Sequence, residues 1–215
     1  FIGRLYEDEQ MMRWAVDALM RKCHAAGGRF HDRAGADPET PPGRGCVTAL
    51  RDVTLAMDFL APVLTDQQRA EIAAALYNNG KRLANFINDP NNNAPANVSE
   101  NGSLALGLAG LPLMNYEEYY AHARRWTDNA EQRSQTLLES RIAENGRPAA
   151  SDLQGLVELM RFMLPFSQAF QRYYGDNMLM GEGGNLSALP GWLAHQFGSN
   201  NAGLFASSRI SVEGL

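Results

Sequence analysis

Cysteine is scarce here, with two in 215 residues, Cys23 and Cys46, and neither belongs to a CxxC pair. That excludes a zinc ribbon or a dithiol redox motif. Two buried thiols are the expected state, with a disulfide across the Gly- and Pro-containing segment between them as the alternative. Basic excess is missing as well. The formal charge is −5, which argues against a surface that tracks a nucleic-acid backbone. No run approaches the roughly 18 uninterrupted apolar residues of a membrane span. HExxH, GxSxG and Walker A patterns are absent, and no helix carries the aspartate-rich stretch of a metal-dependent terpene cyclase. Neither a metal nor a cofactor is therefore expected. Gly43-Arg44-Gly45-Cys46-Val47-Thr48 has only two of the three glycines of a dinucleotide fingerprint and follows a loop instead of a strand. The chain opens on Phe1-Ile2-Gly3-Arg4, with neither an initiator Met nor a signal-peptide pattern, so it is expected to be internal to a longer gene product.

What the chain has in plenty is helical periodicity. Its hydrophobic content of 45% is enough to fill the core of one medium domain spanning residues 1–215. Apolar residues recur at helical spacing over Leu5–Ala26, through Met12, Val16, Leu19 and Cys23, up to Gly27-Gly28. The pattern resumes over Val47–Leu64, with Pro62 near its end. Thr65-Asp66-Gln67-Gln68 reads as a capping box opening a helix through Ile72, Leu76, Leu83 and Ile87. A helix from about Ser99 to Leu113, made of Gly, Ala and Leu, is apolar nearly all round and should be buried on most sides. Asn115 is expected to cap a long helix through Tyr119, Trp126, Leu137 and Ile142. Ser151 or Asp152 should cap another through Leu156, Met163 and Phe170, and a shorter helix is expected over Leu186–Leu193. The fold class is all-α, about seven helices in antiparallel hairpins. Alternating amphipathic and fully apolar helices are what two concentric layers require, so an α/α toroid, or an arc of one, is the predicted architecture.

The densest polar feature is Asn88–Met114, NDPNNNAPANVSENGSLALGLAGLPLM, where an asparagine-rich loop runs into the small apolar helix. A turn needs one or two asparagines, so the rest are read as donors to a ligand. A second candidate is the basic stretch Arg21–Arg51, with Arg29, Arg33 and Arg44, where an anionic ligand would have to be met locally.

The order of segments resembles the toroid domain of heparinase II/III-like and related alginate lyases. Asp52–Ile87 is similar to that family's helix, turn and capped helix. Asn97–Leu113 resembles its asparagine-preceded apolar helix, and Glu144-Asn145-Gly146 with Leu156–Asp176 resembles its turn and inner helix. The likeness spans roughly residues 50–200. It implies β-elimination on a uronic-acid-containing polysaccharide, in which Asn, Gln or Arg neutralises the carboxylate, a base takes the α-proton and a tyrosine protonates the leaving oxygen. By position Asn97 matches the family's carboxylate-binding asparagine, with Asn92 and Asn93 sharing the task. Ala96 and Val98 stand where the family often has His or an aromatic, and Ala150 and Gln154 where it has Glu and Tyr. Base and acid must then come from elsewhere. His31 is the candidate base, and Tyr174 the candidate acid among Tyr119, Tyr120, Tyr173 and Tyr174, with Tyr120 also a sugar platform. Arg51 and Arg147 are candidate carboxylate partners, and Glu182 would orient the base. The resemblance also implies a periplasmic or secreted location and an anionic polysaccharide as partner. Two other readings compete: a toroid that binds saccharide without cleaving it, and a helical scaffold for protein partners, whose concave surface would be apolar and charged.

Overall fold

A computed structural model describes residues 8–24, 28–30, 40–142 and 153–175. Among the described residues the regular structure is six helices and no strand: α1 (Glu9–His24), α2 (Arg44–Leu60), α3 (Asp66–Asn88), α4 (Ala96–Leu113), α5 (Tyr120–Arg141) and α6 (Leu153–Tyr174). The helix expected over Leu186–Leu193 lies outside the described residues. The chain divides into two compact units after Ala130, so α5 runs across the division.

Helix boundaries follow from where the first backbone N–H groups find acceptors. The Asp8 carboxylate accepts from the Met11 N–H at 3.0 Å, which starts α1 at Glu9; the expected helical residues 5–7 lie outside the described residues. The capping box at α3 is present in both halves. Thr65 Oγ1 accepts from the Gln68 N–H at 3.2 Å, and Gln68 Oε1 accepts from the Thr65 N–H at 2.9 Å. α2 begins at Arg44, not Val47, and ends at Leu60 before Pro62. The turn that follows is tied to the next helix: Arg69 donates to the Ala61 and Leu64 carbonyl oxygens at 2.8 Å each, while holding Asp66 at 2.6 Å.

In the first unit α4 is the hub, packed against α2 and α3, and α1 lies on α2 and α3. Every residue of α4 from Leu104 to Leu111 is buried, as an all-round apolar helix requires. α3 runs antiparallel to it. Gly102 of α4 faces Leu83 and Ile87 of α3, whereas Leu106 lies beside Gly80. On the other side Gly107 and Gly110 face Thr127 and Ala123 of α5. This closeness depends on missing side chains. A Cβ on Gly110 would stand 2.6 Å from the Ala123 carbonyl oxygen, and one on Gly80 would stand 2.7 Å from the Trp126 ring. The Thr127 hydroxyl, fully buried, donates to the Ala123 carbonyl at 3.0 Å and lies 3.4 Å from that of Gly107, a polar stitch between α5 and α4.

In the second unit α6 buries Leu156, Leu159, Phe162, Met163, Phe166 and Phe170, the i, i+3, i+4 stripe of an amphipathic helix. Phe166 and Phe170 meet edge to face at 5.8 Å. Pro165 sits inside this helix, where it removes one backbone donor.

Candidate functional site

The asparagine-rich turn differs from its sequence-based reading. Asp89 caps the C-terminal end of α3, where the helix dipole disfavours a carboxylate. The nearby amides compensate: Asp89 Oδ1 accepts from the Asn91 N–H at 2.9 Å and from Asn91 Nδ2 at 3.0 Å, and Oδ2 accepts from Asn92 Nδ2 at 3.1 Å. The Asn92 N–H adds a bond to the Asp89 carbonyl at 3.0 Å. Two of the amides read as ligand donors therefore have a structural task, stapling an Asx turn. Asn93 is exposed. Asn97 is not in the loop but in the first turn of α4, also exposed.

The remaining candidates are spread widely. Arg51 is half-buried and bonded to Asp52 at 2.8 Å. Tyr120 is exposed at the first position of α5, beyond the far end of α4 from Asn97; the helix from Asn97 to Leu113, at 1.5 Å per residue, alone spans about 24 Å, more than one sugar ring can bridge. Tyr174 belongs to the second unit, with its ring 4.5 Å from Phe170 and 4.8 Å from Tyr173. His31, Arg147 and Glu182 lie outside the described residues. Neither thiol is in a disulfide, and both are buried. Burial, with the Glu71 carboxylate adding to it, pushes Cys23 up to about 11, so it is a neutral thiol at physiological pH and no nucleophile.

Two groupings that sequence reasoning did not assemble emerge in the first unit. One is a row of aromatic rings where α3 meets α5 and the turn before it. Tyr77 stacks on Tyr119 with centroids 4.4 Å apart, Tyr116 lies 5.9 Å from Tyr119, and His122 meets Tyr77 edge-on at 5.6 Å. Trp126, buried, closes the inner end at 6.1 Å from Tyr77, and Lys81 Nζ stands 6.0 Å from the Tyr77 ring centre. The three tyrosines and His122 are half-exposed. Burial raises the phenol pKa of Tyr119, helped by Glu118 and Tyr77; burial also raises that of Tyr116, against the opposing pull of Arg69. Both therefore stay protonated at neutral pH. The signal was available in the spacing of Tyr116, Tyr119, His122 and Trp126, which puts one aromatic on each successive turn, and in Tyr77 and Lys81 at i, i+4.

The other grouping is a pocket of about 520 Å³ between α1 and α3, lined by Cys23, His24, Arg29, Glu71, Asn78 and Arg82 among others. Its floor is set by Asn79, a buried residue that no motif announced. Asn79 Nδ2 donates to the Gly28 carbonyl at 2.7 Å and to that of Ala75 at 2.8 Å, and its Oδ1 accepts from the Phe30 N–H at 2.7 Å. Gly28, at φ +79°, makes the sharp turn this docking needs. A wider cleft of about 880 Å³, lined by Glu9, Met12, Arg13, Val16 and Val63 among others, is mixed apolar and charged.

Among the described residues no helix is long and apolar enough to cross a membrane, and no three His, Cys, Asp or Glu side chains are grouped to hold a metal. Compared with family models, curated proteins and solved structures, the chain matches none.

Proposed function

We propose that this chain is the helical part of a saccharide-binding protein of the heparinase II/III-like type, an arc of an α/α toroid that takes a uronic-acid-containing polysaccharide in the periplasm or outside the cell. The observation that carries the reading is the row of Tyr116, Tyr119 and Tyr77 beside Lys81. Half-exposed phenols combine a planar apolar body with a hydroxyl that both donates and accepts, which suits a sugar with an apolar ring face and polar rim. The Lys81 ammonium supplies the charge a uronate carboxylate needs, on a chain whose overall charge is negative. The protein-scaffold alternative draws on the mixed apolar and charged cleft between α1 and the turn after α2, but no observation favours a particular partner there.

Cleavage by β-elimination is a second reading, favoured by one specific feature: Tyr116 and Tyr119 remain protonated and so are able to act as general acids toward a leaving glycosidic oxygen. Binding and cleavage separate in one experiment with alginate, glucuronan, heparan, chondroitin and hyaluronan. Titration with oligosaccharides of each should give saturable binding to at least one uronate polymer, weakened at least tenfold by Lys81→Glu, an exposed substitution. Absorbance of the unsaturated uronate, followed in the same samples, should rise if the chain also cleaves. Loss of that rise in Asn97→Ala would restore the carboxylate-binding role implied by the resemblance; loss in Tyr119→Phe would place the acid in the aromatic row. A folded sample that binds no uronate polymer refutes both readings and leaves the scaffold.

A further inference from the structure

α1 is apolar on two faces, and only one of them is covered. Val16, Leu19 and Cys23 are buried on the side that lies against α2 and α3. Met11, Trp14, Ala15 and Ala18 fall at i, i+3, i+4 and i+7 on the other side, and all four are exposed. Trp14, at 60%, is the most exposed large apolar side chain among the described residues, and Met11 beside it stands at 41%. A single exposed apolar residue is ordinary, but a continuous stripe led by a tryptophan and a methionine has the composition of an interface core.

The layout of the stripe indicates what covers it. Its two large residues come first and its two small ones last. An antiparallel copy of the same helix, with a two-fold axis level with the Trp14–Ala15 peptide, therefore sets large against small throughout: Trp14 lies level with Ala15 of the second copy, and Met11 with Ala18 of the second copy. Charge follows the same order. The helix is acidic at its start, at Asp8 and Glu9, and basic in its last turn, at Arg21 and Lys22. Asp8, Ala15 and Lys22 follow one another at seven-residue intervals along one edge of the stripe, and the Met11 N–H holds the Asp8 carboxylate there. In the antiparallel register Asp8 comes within one residue, about 1.5 Å along the axis, of the level of Lys22 of the second copy. Opposite charges then meet at both ends, and the two helix dipoles oppose. A parallel copy would set Trp14 on Trp14 and like charge on like. The face is thus complementary to itself, as an isologous two-fold contact requires.

We infer that α1 is a homodimer contact, in which the Met11–Trp14–Ala15–Ala18 stripe packs antiparallel on the same stripe of a second copy of this chain, with Asp8 opposite Lys22 at each end. One helix of 16 residues per partner buries less than the roughly 1,200 Å² of a stable complex, so the pair exchanges with monomer. The stripe shares no residue with the Tyr116–Tyr119–Tyr77 row, and the contact stands or falls independently of the saccharide reading.

Sedimentation of the whole chain from about 10 μM to 1 mM should show monomer giving way to dimer. Trp14→Glu puts a carboxylate beside the two-fold axis at an exposed position; it should leave thermal unfolding of the dilute chain unchanged and weaken the dimer at least about thirtyfold, the scale of a central tryptophan. Lys22→Glu, which sets like charges together at both ends, should weaken it about fivefold in dilute buffer. Orientation is read by cross-linking through single introduced cysteines, Cys23 and Cys46 being buried. Ala15→Cys, next to the axis, should form a disulfide with its counterpart, whereas Ala18→Cys should not, because its counterpart lies seven residues, about 10 Å, away along the axis. A chain that stays monomeric up to about 1 mM, including one that binds vesicles of anionic phospholipid through Trp14 instead, overturns the inference. A dimer that tolerates Trp14→Glu, or equal cross-linking from the two cysteines, overturns it as well.

Discussion

Two asparagine-bearing regions of the first unit put the same side chain to opposite uses. Between Asn88 and Asn97 the amides are many, exposed and local: Asn91 and Asn92 turn back on the carboxylate of Asp89, two or three residues away. On α3 a single amide, Asn79, is buried and long-range, reaching Gly28 and Phe30 across about fifty positions of sequence. The first arrangement is conspicuous in the sequence and cheap to lose, because water replaces each bond. The second leaves no compositional trace, yet the buried Phe30 N–H would be stranded in the interior without it. Density of polar residues thus reports local turn chemistry, whereas the energetic weight of one polar residue is decided by burial, which composition does not record.

The comparison breaks most sharply at Asn79. Replacement by Ala leaves the Phe30 N–H and the Gly28 and Ala75 carbonyls without their side-chain partner, and should cost about 2–4 kcal/mol, within the range for disrupting a buried network. Urea unfolding with an unchanged slope would measure it. A loss under about 1 kcal/mol would mean that the 28–30 segment does not depend on this docking, and the contrast drawn above would disappear.

A next smaller effect concerns the same wall of the pocket. The Cys23 pKa is raised from 9.0 to about 11, chiefly by burial, so the folded chain holds the thiol proton more tightly than the unfolded chain does. Stability from this group is complete below pH 9, the unfolded value, and is lost as pH rises through the window up to about 11, where the folded thiol ionises. The decline should be on the order of 2 kcal/mol across that window, at 1.36 kcal/mol per pKa unit. Unfolding measured from pH 8 to 11 should show it in the wild type and less of it in Cys23→Ala. The same decline in both would assign it to other groups.

How much of this was legible beforehand depends on the range of the interactions involved. The capping box at Thr65–Gln68, the all-round burial of α4 and the stripe of α6 were readable because each is fixed within a few residues by spacing and cap chemistry. The cap at Asp8 was not read from the sequence, because only its carboxylate, three residues before Met11, marks the boundary at Glu9. The site was harder. The tyrosines of the aromatic row were individually visible, but their assembly with Tyr77 depends on α3 lying against α5, which in turn depends on Gly80 admitting the Trp126 ring. Asn79 had no local signature at all, because its partners Gly28 and Phe30 lie about fifty positions away.

The smallest effect lies at the other end of the comparison. Asp89→Ala removes the acceptor of three hydrogen bonds, but all are exposed, and the substitution also takes a negative charge away from the C-terminal end of α3, where the dipole disfavours it. The two consequences oppose one another. Loss of an exposed Asx turn should cost about 0.5–1 kcal/mol, and relief at the helix terminus should return roughly 0.3–1 kcal/mol, so the net change is expected to stay within about 0.5 kcal/mol of zero. Salt distinguishes the terms that a single measurement merges. The dipole contribution is screened as ionic strength rises, whereas the geometric bonds of the turn are screened less, so Asp89→Ala should look relatively worse in about 1 M salt than in dilute buffer. A destabilisation above about 2 kcal/mol would mean that the turn supports the register of α3 on α4 through Ile87 and Gly102. The asparagine-rich segment would then share the structural weight that the comparison assigns to Asn79 alone.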